Sequence, residues 1–273
     1  MPDLPSPPAS RPDPPSIPGL AQARSLVQSA RSVVVVTGAG ISAESGVPTF
    51  RGAGGVWGRF RAEDLATPEA FRRDPCQVWA WYDHRRHALT GCAPNPGHEA
   101  VARFLLARPE VHLVTQNVDG LHQRALAALG ASVPHPRIHE LHGSIARIRC
   151  ARPGCDWSAE DARRVEADHL DTLPRCPVPG CGGLLRPDVV WFGEMLPEAA
   201  LTASFEAASR AEVALVVGTS ALVHPAASVP EVTLRQGGVL VEVNPEPTPL
   251  SPHARWCLRG AAGAILPALL DPG

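Results

Sequence analysis

Four short apolar runs dominate the hydropathy pattern of the chain. Val33–Val36, Val111–Thr115, Val213–Val217 and Val239–Val243 are built mainly from β-branched residues, and polar residues follow each of them. Runs of this length and type predict strands buried on both faces. Helical patterns fill much of the space between them. One covers about 20–31, two with aromatic residues lie around Pro68–Arg72 and Pro75–Leu89, and one covers Leu121–Leu129. Another follows the break Pro94-Asn95-Pro96-Gly97, with an apolar face at Ala100, Val101, Phe104 and Leu105. Residues 144–149 alternate Ile145 and Ile148 with Arg147 and Arg149 and lead into a cysteine-rich segment. Strands alternating with helices predict an α/β fold, a Rossmann-like, mainly parallel open sheet. Ligands of such sheets bind outside the carboxyl ends of the strands. Thr37–Ser42, Gln116–Asp119, Gly218–Ser220 and Asn244–Glu246 all follow strands and are expected to meet at one edge. There is no internal repeat.

The first of these polar segments carries the sharpest local signal. Gly38, Gly40 and Ala43 stand at the G-x-G-x-x-G/A spacing of a dinucleotide-binding turn, directly after Val33–Val36. Gly38 permits the tight turn, and Gly40 lets backbone N–H groups approach a pyrophosphate. Ser42, Phe50 and Arg51 extend the turn into a long polar loop in place of a plain helix. A dehydrogenase of this type has an acidic residue about 20 positions on, at the end of the next strand. Here that region reads Gly58-Arg59-Phe60-Arg61-Ala62-Glu63-Asp64, which is no strand end. Hydride transfer is therefore not the expected chemistry.

Composition narrows the rest. With 273 residues and 44% hydrophobic content, the chain can bury a large core. A net charge of −2 gives no reason to expect nucleic-acid or anionic-membrane affinity. No apolar run approaches the ~20 residues of a membrane span, and no export signal precedes the first helix. The expected location is cytoplasmic, and a monomer is the expected state. Residues 1–19 hold eight prolines and read as an extended tail. All 25 basic residues are arginine, so the chain has no lysine side chain of its own to be acylated.

Seven cysteines, an odd number without an export signal, argue for metal binding rather than disulfides. Cys150 and Cys155 form one close pair, and Cys176 and Cys181 another. This approximates a structural zinc ribbon: four thiolates suit tetrahedral Zn²⁺ and leave no position for water. Pro153-Gly154 and Pro179-Gly180 form matching knuckles before the second cysteine of each pair.

Several segments then combine. GAGISAESGVPTFRG at 38–52, TQNVDGLH at 115–122, ELHGS at 140–144, the four cysteines, VVWFGE at 189–194, VGTS at 217–220 and VEVNPE at 241–246 occur in the order of the sirtuin family, which the chain resembles over roughly residues 20–270. The resemblance implies an enzyme that cleaves NAD and transfers an acyl group from a protein lysine to ADP-ribose, giving nicotinamide, free lysine and O-acyl-ADP-ribose. It implies His142 as the catalytic base, a role suited to an imidazole titrating near neutrality, and Asn117 beside it. It implies NAD contacts from Gly38, Ala39, Gly40, Ser42, Ala43, Glu44, Phe50, Arg51, Trp57, Gln116, Asn117, Val118, Asp119, Gly218, Thr219, Ser220, Asn244, Pro245, Glu246 and Ala262. His122 reads as a helix-start residue instead. The implied partners are acylated lysine side chains, with neither nucleic acid nor membrane, and one structural zinc beside the NAD co-substrate.

The expected organisation is a Pro-rich tail at 1–19, a sheet domain from 20–57, 98–146 and 184–273, a helical acyl-pocket segment at 58–97, and an inserted zinc-ribbon module at 147–183. Val189–Glu194 resembles the strand that pairs with substrate backbone, which gives Val190, Trp191, Phe192, Gly193 and Glu194 as peptide contacts. Specificity must then lie in the acyl pocket. Tyr82, the single tyrosine, and Arg85 stand three apart and share a helix face. A phenol beside a guanidinium can bind a carboxylate. The Tyr-x-x-Arg pattern, with Ala62 and Ala66 leaving room, resembles the sirtuin branch that removes succinyl and malonyl groups. A general lysine deacetylase and a mono-ADP-ribosyltransferase remain open as alternatives. A zinc-ribbon binding protein without catalysis is opposed by the intact Asn117, Asp119 and His142.

Overall fold

The computed structural model describes residues 17–47 and 62–271, with the backbone alone at Ala62 and Glu63. Phe50, Arg51 and Trp57 lie outside the described residues, as do most of the Pro-rich tail and the side chain of Ala62. In chain order the helices are α1 (Leu20–Ser29), α2 (Ala62–Leu65), α3 (Pro68–Arg73), α4 (Pro75–Thr90), α5 (Pro96–Ala107), α6 (Leu121–Ala128), α7 (Glu198–Arg210), α8 (Val229–Arg235) and α9 (Ala262–Leu270). The strands are β1 (Val33–Thr37), β2 (Val111–Thr115), β3 (Ile138–Glu140), β4 (Gly143–Cys150), β5 (Ser158–Glu160), β6 (Leu185–Val189), β7 (Val213–Val217), β8 (Val239–Val243) and β9 (Trp256–Leu258). Among these described residues no helix is long and apolar enough to cross a membrane.

Six strands form a parallel sheet in the order β3-β2-β1-β7-β8-β9. The period-two alternation of β1 explains its unbroken valines. Val33 and Val35 join one core, with residues of α1, α5, α6 and α9. Val34 and Val36 join the other, with residues of α7 and α8. A strand covered by helices on both faces has no polar side to show. The chain walks outward from β1 to β3, then restarts at β7 and walks the other way. The switch between β1 and β7 is where such a sheet leaves a crevice.

A second sheet, antiparallel in the order β5-β4-β6, belongs to a smaller body. Its core joins β4 and β6 to α4 and to the cysteine knuckles. Two residues, Leu141 and His142, link β3 of the large sheet to β4 of the small one. Helices α3 and α4 start as their sequences dictate, with Pro68 and Pro75 at the first turn. Thr67 accepts from the Ala70 N–H, and Asp74 from the Gln77 N–H.

One expectation needs correction. Val189–Glu194 is not a strand: β6 is Leu185–Val189, and the chain turns at Phe192–Gly193, with Gly193 at φ +85°. Pro187 disguised the strand, but β6 pairs only with β4 and tolerates proline at a sheet edge. The polar glycine loop begins as a 3-10 turn over Ala39–Ser45. The two outermost strands, β3 and β9, were too short to leave a pattern.

Candidate functional site

The strand-end loops extend the sheet's own hydrogen bonding. Gly38 N–H donates to Val217 O at 3.0 Å, Gly40 N–H to Gly218 O at 2.7 Å, Gln116 N–H to Thr37 O at 3.0 Å and Gly218 N–H to Val243 O at 3.0 Å. The glycines are needed here for loop-on-loop contact. A Cβ on Gly40 would lie 2.7 Å from Gly218 Cα, and one on Gly218, at φ +59°, 2.4 Å from Ile41 N. Three residues on, Ala221 adopts φ +53°, an unusual state for a residue with a Cβ, at the edge of the same crevice.

Ser42 is the hub of a polar cluster over this floor. Its hydroxyl donates to Asp119 Oδ2 at 2.7 Å and accepts from Asn117 Nδ2 at 3.1 Å. Asn117 Nδ2 also donates to Gly38 O at 3.1 Å. His98 Nε2 lies 3.3 Å from the same hydroxyl. Because His98 Nδ1 accepts from the Asn95 N–H, its proton sits on Nε2 and points at Ser42. Burial pulls His98 down to about 4, so it stays neutral. His122 packs on His98 with ring centroids 4.8 Å apart and binds Thr37 Oγ1 at 3.0 Å. Burial raises the Asp119 carboxyl above its ordinary value, against the opposing Leu121 N–H, Ser42 and two arginines.

His142 occupies the two-residue link between the sheets. Its Nδ1 lies 2.9 Å from Gln116 O. A carbonyl only accepts, so Nδ1 carries the proton and Nε2 keeps its lone pair. Burial lowers the His142 pKa, and the Gln116 bond opposes this.

The α4 face supplies the next wall. Tyr82 is fully buried, and Trp81 meets it edge-on at 4.6 Å. The Arg85 guanidinium lies 4.8 Å from the Trp81 ring centroid and 5.5 Å from that of Tyr82. Burial pulls Arg85 below its ordinary value, while Tyr82 and Asp119 both favour its charge. That coupling links the α4 face to the Ser42 cluster. Trp191 donates from Nε1 to Tyr82 Oη at 2.9 Å. Val118 is buried in the same core, and Ala66 O accepts from the Phe192 N–H at 2.9 Å.

On the far side, Gln116 Nε2 donates to Thr219 Oγ1 at 3.1 Å and Asn244 Nδ2 to Thr219 O at 3.1 Å. Ser220 and Asn244 are half-buried, while Pro245 and Glu246 are exposed. Beneath them, Glu242 is wholly buried in β8. It accepts from Thr248, from Ser251 at 2.6 Å and from Arg259 at 2.7 Å, and Arg259 continues to Asn244 O and Glu246 O. An acid among valines in a buried strand was the overlooked signal for this support.

The four cysteines converge from the two knuckles, with all four sulfurs within 4.8 Å of one another. Cys150–Cys181 and Cys155–Cys176 are separated by 3.6 and 3.8 Å, too far for a disulfide. Four sulfurs about 2.3 Å from a central zinc would stand ~3.8 Å apart. The set fits one structural Zn²⁺.

The structure therefore gathers Gly38, Gly40, Ser42, Gln116, Asn117, Asp119, Gly218, Thr219 and Asn244 around the switch point, with His142 at the entrance to the smaller body. Two residues have other partners. Glu44 accepts from the Gly263 N–H at 2.6 Å, in the first turn of α9 beside buried Ala262. Glu194 holds Arg186 at 2.6 Å and the Trp191 N–H at 2.9 Å. Burial opposes its charge, but these bonds hold the Glu194 carboxyl below the usual range. Ala39 is half-buried, and Ala43 and Phe192 are exposed. Sequence reasoning missed His98, Arg186 and Glu242, whose roles are contacts between distant segments.

A model of the Sir2 family matches residues 38–225. The chain is 49% identical over 246 residues to an NAD-dependent protein deacylase of Pyrobaculum aerophilum, covering 90% of this chain and 92% of that protein. It is similar to a solved Sir2 homolog–NAD complex, with a TM-score of 0.81 and 42% identity, covering 92% of both chains. A Sir2–p53 peptide–NAD+ complex is similar at a TM-score of 0.76 and 30% identity, covering 90% of this chain and 95% of that one.

Proposed function

The chain belongs to the Sir2 family, and from that premise we propose that it removes acidic acyl groups, succinyl and malonyl, from protein lysines. It is an NAD-dependent protein deacylase, with NAD as co-substrate and one structural zinc. What remains is which residue does what, and to which acyl group.

The residues at the switch point fit a dinucleotide. Loops that meet without side chains at Gly38, Gly40 and Gly218 bring backbone close to any pyrophosphate lying there. Asn117, Asp119 and Ser42 present a bonded polar wall, and Thr219 and Asn244 supply groups for the distal ribose. Bound NAD supplies an electrophilic ribose carbon and a leaving nicotinamide. His142 takes a proton from a ribose hydroxyl through Nε2. The Gln116 carbonyl supports that role by holding the ring in the required tautomer. Ser42 and Asn117 fix the orientation of Asp119.

One observation carries the acyl assignment. A buried phenol and a guanidinium lie together on α4, electrostatically coupled to Asp119. An acyl carboxylate needs such partners when it leaves water. The test compares succinyl-, malonyl- and acetyl-lysine peptides with NAD. Succinyl and malonyl are expected to be preferred, and Arg85→Met to lower the succinyl-to-acetyl ratio of kcat/KM by about 10- to 100-fold, the effect of losing a charged hydrogen bond. An equal loss for all three acyl groups would refute the assignment.

A further inference from the structure

Tyr82 is positioned by a residue from outside its own helix. Trp191 lies in the turn after β6, and its indole N–H donates to Tyr82 Oη at 2.9 Å. The direction of that bond is fixed, because an indole nitrogen can only donate. The phenol is therefore the acceptor, and its own proton must go elsewhere. Among the described residues it meets no acceptor. A buried hydroxyl proton without a partner is costly, and its neighbour Arg85 carries only donors. The phenol proton therefore calls for an acceptor from a ligand, and a carboxylate is the strongest one such a ligand can offer.

Trp191 is itself held on several sides. The Arg186 guanidinium stacks on its ring at 3.4 Å from the centroid, and Phe71 packs at 5.3 Å. Glu194 binds Arg186 through two bonds, of 2.6 and 2.7 Å, and accepts from the Trp191 N–H at 2.9 Å. The indole has little freedom to turn away from Tyr82.

We propose that Trp191 is a specificity-determining residue: by donating to Tyr82 Oη, it directs the phenol proton into the acyl pocket to meet a ligand carboxylate. Glu194 and Arg186 act behind it as positioning residues. This rests on the acidic-acyl reading and adds to it a residue outside the Tyr-x-x-Arg pair. The preference is then set jointly by α4 and by the turn at Val190–Glu194.

Tyr82 is the only tyrosine, so protein labelled with 13Cζ-tyrosine reports one phenol resonance. In the zinc-loaded wild-type enzyme, a succinyl-lysine peptide is expected to shift that resonance and an acetyl-lysine peptide to leave it in place. In kinetics, Trp191→Phe is expected to lower the succinyl-to-acetyl ratio of kcat/KM by about three- to tenfold, the worth of one oriented hydrogen bond. Tyr82→Phe should do the same, and the double variant no more than Tyr82→Phe alone. A wild-type enzyme that prefers acetyl-lysine overturns the acidic-acyl reading and this inference with it. If the wild type prefers succinyl-lysine and Arg85→Met removes the preference, the inference alone fails on either of two results. One is a phenol resonance unmoved by the succinyl peptide. The other is an effect of Trp191→Phe that persists in full on the Tyr82→Phe background.

Discussion

Replacing Arg147 by methionine should weaken the junction beside His142. Arg147 reaches from β4 to both sheets: Nη1 donates to Glu140 Oε2 at 2.9 Å, and Nε to Asp188 Oδ2 at 3.1 Å. Glu140 ends β3, and Asp188 lies in β6. The three side chains are 25%, 13% and 23% exposed, so the variant leaves two poorly hydrated carboxylates without their shared cation. Breaking a fully buried pair costs about 3–5 kcal/mol, and a charged hydrogen bond is worth about 1.5–3 kcal/mol. Partial hydration and the Gln123 amide, 3.4 Å from Glu140, favour the lower end, about 2–3 kcal/mol. For a chain of this size that lowers Tm by roughly 4–12 °C. Circular dichroism melts of the zinc-loaded protein would measure it. A triple variant that also carries Glu140→Gln and Asp188→Asn should recover most of the loss, because no carboxylate is then stranded and Arg149, which also approaches Asp188 at 4.0 Å, is half exposed to water. A loss below about 0.5 kcal/mol, the scale of an exposed pair, or a triple variant as unstable as the single one, would refute the reasoning.

Stability should fall as pH is lowered from 6.5 towards 4. Burial holds His98 and His139 at about 4, so the unfolded chain takes up their protons first. Each histidine removes on the order of 3 kcal/mol by the bottom of that window. Asp119, raised above 3.8, works in the opposite direction. Urea midpoints at pH 7.5 and 4.5 test this, and a midpoint that is unchanged or higher at pH 4.5 would contradict it. Activity should follow His142, which burial lowers from 6.5. The acid limb of kcat/KM is expected to have its midpoint below that value, with a plateau through pH 7, and a midpoint above pH 7 would exclude His142 as the titrating base. Elemental analysis should find one zinc per chain. Its removal by a chelator should unfold the small sheet, since such sites contribute on the order of 10 kcal/mol, and unaltered proteolytic resistance of 143–189 would count against a structural role.

The central strands were legible because burial on both faces leaves only one kind of residue in them, as in Val33–Val36. The outer strands were not. Ile138–Glu140 and Trp256–Leu258 are three residues long, and edge pairing gives them no alternation. Residues 189–194 resembled a substrate-pairing strand of the family, but Gly193 and the Glu194–Arg186 bonds fold the segment back. Residues of the site that follow strands were readable from position alone. His98 was not, because its imidazole serves as helix-cap partner and Ser42 partner at once, and only the packing of α5 against the glycine turn reveals this.

The strand-end bonds have a mechanical consequence. Gly38, Gly40, Gln116, Gly218 and Asn244 each donate a backbone N–H across to a neighbouring strand or its loop. The crevice floor thus shares the cooperativity of the sheet and cannot flex without breaking it. Their amides should exchange with deuterium as slowly as those of β1 and β7. Relative movement of the sheet and the smaller body would instead fall on the chain segments that join them, and one of these, Leu141–His142, carries the base with it.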